Sequence, residues 1–320
     1  MSVTAENIGK KAVRAANSVV NLMILSVILL LIAFGSYALW DSDQVYNGAD
    51  SAQYEKYKPS TADEGKSFRE LQALNPDVFA WLTVYGTNID YPVTQGEDNM
   101  KYVNTNAEGN YSLSGSIFLD CDNQKDFSDF NSILFGHHME KQAMFGEIGL
   151  FSDRSYFDAR TYGNLYYDGK DHGLEFFAFV HTDAYDHTVF APGVVGKEAQ
   201  QQYLDNLLKK ATFTREIGVG TEDHIVLLST CSASSTNGRD ILVGRITDEL
   251  YADTLKTDEI NQPGTQARVD GQSGIGTDFL WLWIGMAALL LLLTICLVVI
   301  YHKKKKNKKQ VKQDQKNQDT

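Results

Sequence analysis

Two long apolar runs, 19–40 and 279–301, most constrain what this chain can fold into. Each is long enough to cross about 30 Å of hydrocarbon as a helix, and they leave about 240 residues between them. The first is interrupted only by mild residues such as Asn21, Ser26 and Ser36; the second carries no charge. Lys10, Lys11 and Arg14 precede the first run, and Lys303, Lys304, Lys305, Lys306, Lys308 and Lys309 follow the second. An excess of cations on those flanks places both termini in the cytoplasm and everything between the runs outside. The expected plan is a cytoplasmic N-terminus (1–18), a transmembrane helix (19–40), a polar linker or loosely helical stalk (41–65), a folded domain (66–248), a Gly- and Gln-rich linker (249–278), a second transmembrane helix (279–301) and a basic cytoplasmic tail (302–320). A cleavable leader is the alternative for the first run, since Ser36-Tyr37-Ala38 is a weak small-x-small site, but the run continues to Leu39 and Trp40.

The net charge of −12 understates the acidity of the central domain, because many of the cations sit in the two tails. An acidic surface is soluble and excludes nucleic acid as a partner. Three cysteines, Cys121, Cys231 and Cys296, are too few for a disulfide framework. Asp120 and Asp122 beside Cys121 disfavour its thiolate, so that thiol is a poor nucleophile.

Within the central region a short amphipathic helix is expected at 67–74, with Phe68, Leu71 and Leu74 on one face. From Val78 the pattern turns to short β-rich runs at 79–84, 88–93, 114–119, 132–136, 163–168, 174–182, 223–229 and 240–247. Eight such runs indicate a closed barrel or a sandwich. Helical insertions are expected at 98–103, 144–151 and 197–211, the last with Tyr203, Leu204, Leu207 and Leu208 at helical spacing.

One of these strands delivers Cys231 to its end, and after a loop of seven residues, 232–238, the chain returns at Arg239. A loop of that length suits an antiparallel hairpin, which would set the thiol and the guanidinium side by side. Arg245 shares parity with Arg239, and nearness to the turn favours Arg239. His137 and His138 follow the apolar strand 132–135 and a glycine; adjacent residues point apart, so one of the two is expected to reach the thiol. An imidazole beside a thiol favours the thiolate and can protonate a leaving amine, while a fixed cationic fork can hold an oxyanion. No Cys or His stands at metal-ligand spacing from the His137-His138 pair, and no cofactor is implied.

Leu227-Leu-Ser-Thr-Cys231 resembles the Thr-Leu-x-Thr-Cys signature of the sortases, the membrane-held cysteine transpeptidases of Gram-positive bacteria, and Arg239-Asp-Ile-Leu-Val243 resembles their Arg-x-x-x-Val strand. Gly136-His137-His138-Met139, followed by Met144-Phe145, is similar to the class B form of the histidine motif, as are Asp90-Tyr91-Pro92-Val93 and Gly115-Ser116-Ile117-Phe118-Leu119-Asp120. The resemblance spans 66–248. It implies an eight-stranded sortase barrel with peripheral helices, with Cys231 as nucleophile, His137 as acid and base, Arg239 as oxyanion donor, and Ser229 and Thr230 as substrate contacts. The implied partners are surface proteins or pilins with a C-terminal sorting signal, and an amine acceptor on a pilin lysine or a cell-wall precursor. Two departures stand out: Ala233 occupies the place of an acidic residue common in class B enzymes, and a second span is more usual in pilin-polymerising sortases. The second run followed by lysines also resembles a sorting tail, but no Leu-Pro-x-Thr-Gly precedes it. A non-enzymatic β-barrel binding module and a hydrolytic cysteine protease are the rival readings.

Overall fold

The computed structural model describes residues 2–60 and 65–255; the expected second span and basic tail lie outside the described residues. Helix α1 (Ser2–Ala49) contains the first apolar run, with its side chains exposed. Among the described residues it is the one helix long and apolar enough to cross a membrane. It does not stop at Trp40. The stretch expected to be a linker or loosely helical stalk continues the helix to Ala49, and a 3-10 helix follows at Ser51–Tyr57. Asp50 caps that turn by accepting a hydrogen bond from the Ala52 N–H (3.0 Å), and Ala49, Tyr54 and Tyr57 are buried against the domain.

After α2 (Lys66–Leu74) come the strands β1 (Val78–Val84), β2 (Asp90–Thr94), β3 (Ile117–Leu119), β4 (Asn131–Phe135), helix α3 (Arg154–Ala159), β5 (Tyr162–Tyr167) and β6 (Lys170–Asp183). Helix α4 (Lys197–Lys210), β7 (Ala211–Thr214), β8 (His224–Cys231) and β9 (Gly238–Thr247) complete the domain. The strand order β5-β1-β2-β3-β4-β8-β9-β6 closes on itself through β5–β6 pairing, giving the eight-stranded barrel that the sequence leads one to expect. A ninth strand, β7, was not foreseen. It pairs with β6 around 178–180, along the edge whose earlier part, 170–175, pairs with β5. The β5–β6 hairpin turns on Asp168 (φ 49°) and Gly169 (φ 78°), the left-handed pair that a two-residue hairpin loop requires.

Both faces of the central strands are buried, which explains their unbroken apolar runs. Leu134, Phe176, Val226, Leu228 and Leu242 belong to the main core, while Ile133, Phe177, Ile225, Leu227, Ile241 and Val243 form a second layer with Tyr203, Leu204 and Leu207 of α4. Each such leucine contributes about 2 kcal/mol by leaving water. The two other expected helical insertions shrink to 3-10 turns, Lys101–Val103 and Ile148–Ser152.

Candidate active site

β4 and β8 run parallel, with Phe135 beside Ser229, so their C-terminal ends emerge at the same rim of the barrel. The ladder continues one step further, the Gly136 N–H donating to the Ser229 carbonyl (3.2 Å), and two residues past the Phe135/Ser229 pair bring His137 level with Cys231. β9 is antiparallel to β8 and starts at that rim, where Cys231 stands directly across from Arg239. Three sequence-distant residues thus come to one rim because two parallel strands end and one antiparallel strand begins at one edge.

Cys231 is exposed and free. Arg239 is half-buried; its Nη1 donates to the Gly238 carbonyl (3.0 Å), and among the described residues no carboxylate stands within ion-pair distance of it. Arg245, the alternative by parity, lies across from Ile225 and is ion-paired with Glu175 (2.6 Å) and Asp223 (4.0 Å). The half-buried His137 places Nε2 2.8 Å from the Val103 carbonyl, which orients the ring. Gly136 must lack a side chain, since a Cβ there would come within 2.5 Å of Ile117 Cδ1 and 2.7 Å of Phe145 Cδ2.

Ser229 and Thr230 are both buried. The Thr230 hydroxyl donates to the Gly136 carbonyl (2.8 Å), pinning the histidine segment to β8, whereas Ser229 Oγ has no hydrogen-bond partner among the described residues. By strand alternation Ser229 faces the same side as Cys231 and Phe135. Phe135 is flanked there by Phe118 (centroids 5.4 Å apart) and Phe190 (6.4 Å), an apolar floor beside the thiol.

On the opposite face of the same strands lies a cleft of about 450 Å³ lined by His138, Phe179, His181, Asp240 and Ser232-Ala233-Ser234. His181 Nδ1 and Asp240 Oδ1 are 2.7 Å apart. Alternation sends His138 to this side and His137 to the other, so the two adjacent histidines separate. The His181–Asp240 pair had no signal in the sequence, because it depends on the β6–β9 register that sets the two residues opposite each other. Cys121 lies elsewhere, next to Asp120 and Asp122; burial first, then those two carboxylates, pushes its thiol up.

Tyr91 is a further residue that sequence reasoning did not single out for chemistry. Its hydroxyl donates to the Ala49 carbonyl of α1 (2.8 Å) and accepts from the Met144 N–H (3.0 Å), and burial pushes its pKa up to about 12, so it stays protonated as that donor.

No family model matches the chain. The sortase B of Listeria monocytogenes is 31% identical over 203 residues, covering 61% of this chain and 81% of that protein. A crystal structure of sortase B from the type II pilus of Streptococcus pneumoniae is 46% identical, with a TM-score of 0.50 and coverage of 56% of this chain and 98% of that one. A Streptococcus pyogenes class B sortase involved in pilus biogenesis is 40% identical, with a TM-score of 0.53 and coverage of 57% and 99%. Sequence likeness that extends over most of a curated relative, joined to a barrel shared with solved ones, makes the chain a member of the class B sortases, a cysteine transpeptidase.

Proposed function

We propose that Cys231, His137 and Arg239 carry the transpeptidation. The observation that supports this most is the register that sets Cys231 across from an unpaired Arg239 while His137 comes level from the neighbouring strand. The Cys231 thiolate attacks the threonine carbonyl of a C-terminal sorting signal, forming a C–S bond and an oxyanion that Arg239 holds. The intermediate collapses with cleavage of the C–N bond, and His137 gives its proton to the leaving amine. An incoming amine then attacks the thioester, His137 takes up its proton, and the thiolate departs. The signal's apolar side chains rest on Phe118, Phe135 and Phe190, and the buried, unpartnered Ser229 hydroxyl offers a contact to its backbone. Thr230, with its hydroxyl on Gly136, serves substrate binding indirectly by fixing the histidine segment.

The acceptor we favour is a pilin lysine, with a cell-wall precursor amine as the other choice. One relative comes from a type II pilus and another is involved in pilus biogenesis, and two apolar runs would hold the barrel at both ends beside a growing polymer in a two-pass plasma-membrane topology with the catalytic domain outside. Full-length protein in detergent, incubated with sorting-signal peptides and either a lysine peptide or a peptidoglycan stem peptide, gives acceptor-linked product by mass spectrometry. Cys231→Ala is expected to abolish it. Cleavage indifferent to any acceptor would instead mark a hydrolase, and absence of a Cys231 adduct with every signal tested would refute the site.

A further inference from the structure

The segment that follows His137 is held in a conformation that its own residues disfavour. Lys141 (φ 56°), Gln142 (φ 61°) and Met144 (φ 53°) all sit in the left-handed region without being glycine, three of them within four positions. Backbone strain of this kind persists only where surrounding contacts over-determine it. Two of the contacts come from the end of the N-terminal helix: the Tyr46 hydroxyl donates to Glu140 (2.8 Å), and Lys141 Nζ lies 4.2 Å from the centre of the Tyr46 ring. A third runs through Tyr91, whose hydroxyl joins the Ala49 carbonyl of α1 to the N–H of the strained Met144. The next residue, Phe145, donates its N–H to the His137 carbonyl (3.0 Å), and its ring packs where Gly136 leaves space. An unbroken series of hydrogen bonds and one peptide unit therefore leads from the last turn of α1 to the backbone of His137.

We propose that Tyr91 and the final turn of α1 are positioning elements for His137, so that the helix carrying the apolar run is part of the active-site scaffold as well as a tether. This rests on His137 serving Cys231. Ala49 is completely buried at the junction, and Gly48 adds a further fastening by accepting from Ser114 Oγ (3.1 Å). Loosening the junction frees Met144 to relax to an ordinary backbone conformation, and the Phe145-to-His137 bond shifts with it. The thiol and the arginine, carried on β8 and β9, stay in place.

The test uses the full-length protein in detergent. Tyr91→Phe keeps the ring and removes both hydrogen bonds; Ala49→Leu overfills the junction and displaces the α1 carbonyl without altering Tyr91. Tyr57→Phe is the control, since it removes another inward hydroxyl, bonded to Glu108 (3.0 Å), with no link to the histidine segment. Because a small displacement of a catalytic group is costly, Tyr91→Phe and Ala49→Leu are each expected to lower kcat about tenfold while leaving KM for the signal peptide within about twofold; Tyr57→Phe leaves both unchanged. The rate of Cys231 alkylation by iodoacetamide, read peptide by peptide to exclude Cys121 and Cys296, falls in Tyr91→Phe but not when Tyr91→Phe is added to His137→Ala. Unchanged kcat in Tyr91→Phe at a retained melting temperature overturns the proposal, as does an alkylation loss that persists in the His137→Ala background. If His137→Ala itself leaves Cys231 alkylation unaltered, the pairing of His137 with Cys231 fails first and the proposal with it.

Discussion

The β8–β9 hairpin carries two arginines of the same parity six residues apart, and its two ends use them oppositely. At the inner end Arg245 faces Glu175 at 2.6 Å and Asp223 at 4.0 Å, and its side chain is mostly buried. At the rim Arg239, among the described residues, bonds only a neighbouring backbone carbonyl, and the residue across from it is a cysteine. Identical chemistry is neutralised in one place and left available in the other. A guanidinium already matched by a carboxylate has little to offer a developing oxyanion, whereas one held by the strand but unmatched in charge can respond to it. The lesson is that pairing, more than residue type or strand position, separates the structural arginine from the one proposed to hold the oxyanion.

The sharpest way to break this contrast is to truncate each arginine in turn. Arg239→Ala is expected to lower kcat by about 10²- to 10³-fold, as loss of an oxyanion donor does elsewhere, with little change in melting temperature. Arg239→Lys restores charge but not the planar fork and recovers only part of the rate. Arg245→Ala is expected to do the reverse: it leaves the half-buried Glu175 carboxylate unmatched and costs about 2 kcal/mol of stability in urea unfolding, with kcat of the folded protein retained. The double replacement Arg245→Met with Glu175→Gln removes both charges and returns much of that stability. Equal kcat losses in Arg239→Ala and Arg245→Ala at equal stability would erase the distinction.

Much of this contrast was legible in the sequence, for reasons that are themselves physical. The seven-residue return from Cys231 to Arg239 suited a hairpin, and the observed register sets those two residues opposite each other. Eight strands announced themselves because β-rich runs alternate with Gly, Asn and Asp, and each has a counterpart in the barrel. Strand β7 escaped because its four residues, Ala211–Thr214, abut α4 and show no clean alternation of burial. The helix expected at 144–151 fails where Met144 takes a left-handed conformation to meet Tyr91, a contact across 53 residues that no local pattern encodes. The stretch 41–65 looked like a linker or loosely helical stalk because it is polar; its burial of Ala49, Tyr54 and Tyr57 against residues far along the chain had no local signal. Parallel pairing of β4 with β8, which brings His137 level with Cys231, is likewise a property of the closed barrel.

The smallest expected effect extends the contrast to a paired charge beside the unpaired one. Thr182 stands across from Arg239 on β6, and its hydroxyl donates to Asp186 (2.6 Å). Asp186 also accepts from Thr188 Oγ1 (2.6 Å) and from Lys210 at the end of α4, fastening the β6–α4 loop. Burial alone would raise this carboxyl, but Lys210, Thr182 and Thr188 outweigh it and hold its pKa well below the ordinary range. A carboxyl depressed on folding binds its proton more readily when unfolded, so its contribution is complete above the unfolded value near 4 and drains away as the pH falls below it. With part of the site open to water, that contribution is about 1 kcal/mol. Urea midpoints of the parent and Asp186→Asn should therefore differ at pH 7 and at pH 5 and converge toward pH 3. A gap that stayed constant over that range would mean that Asp186 holds the loop through hydrogen bonds that the amide preserves, and that its charge, unlike the free charge of Arg239 across the ladder, contributes nothing.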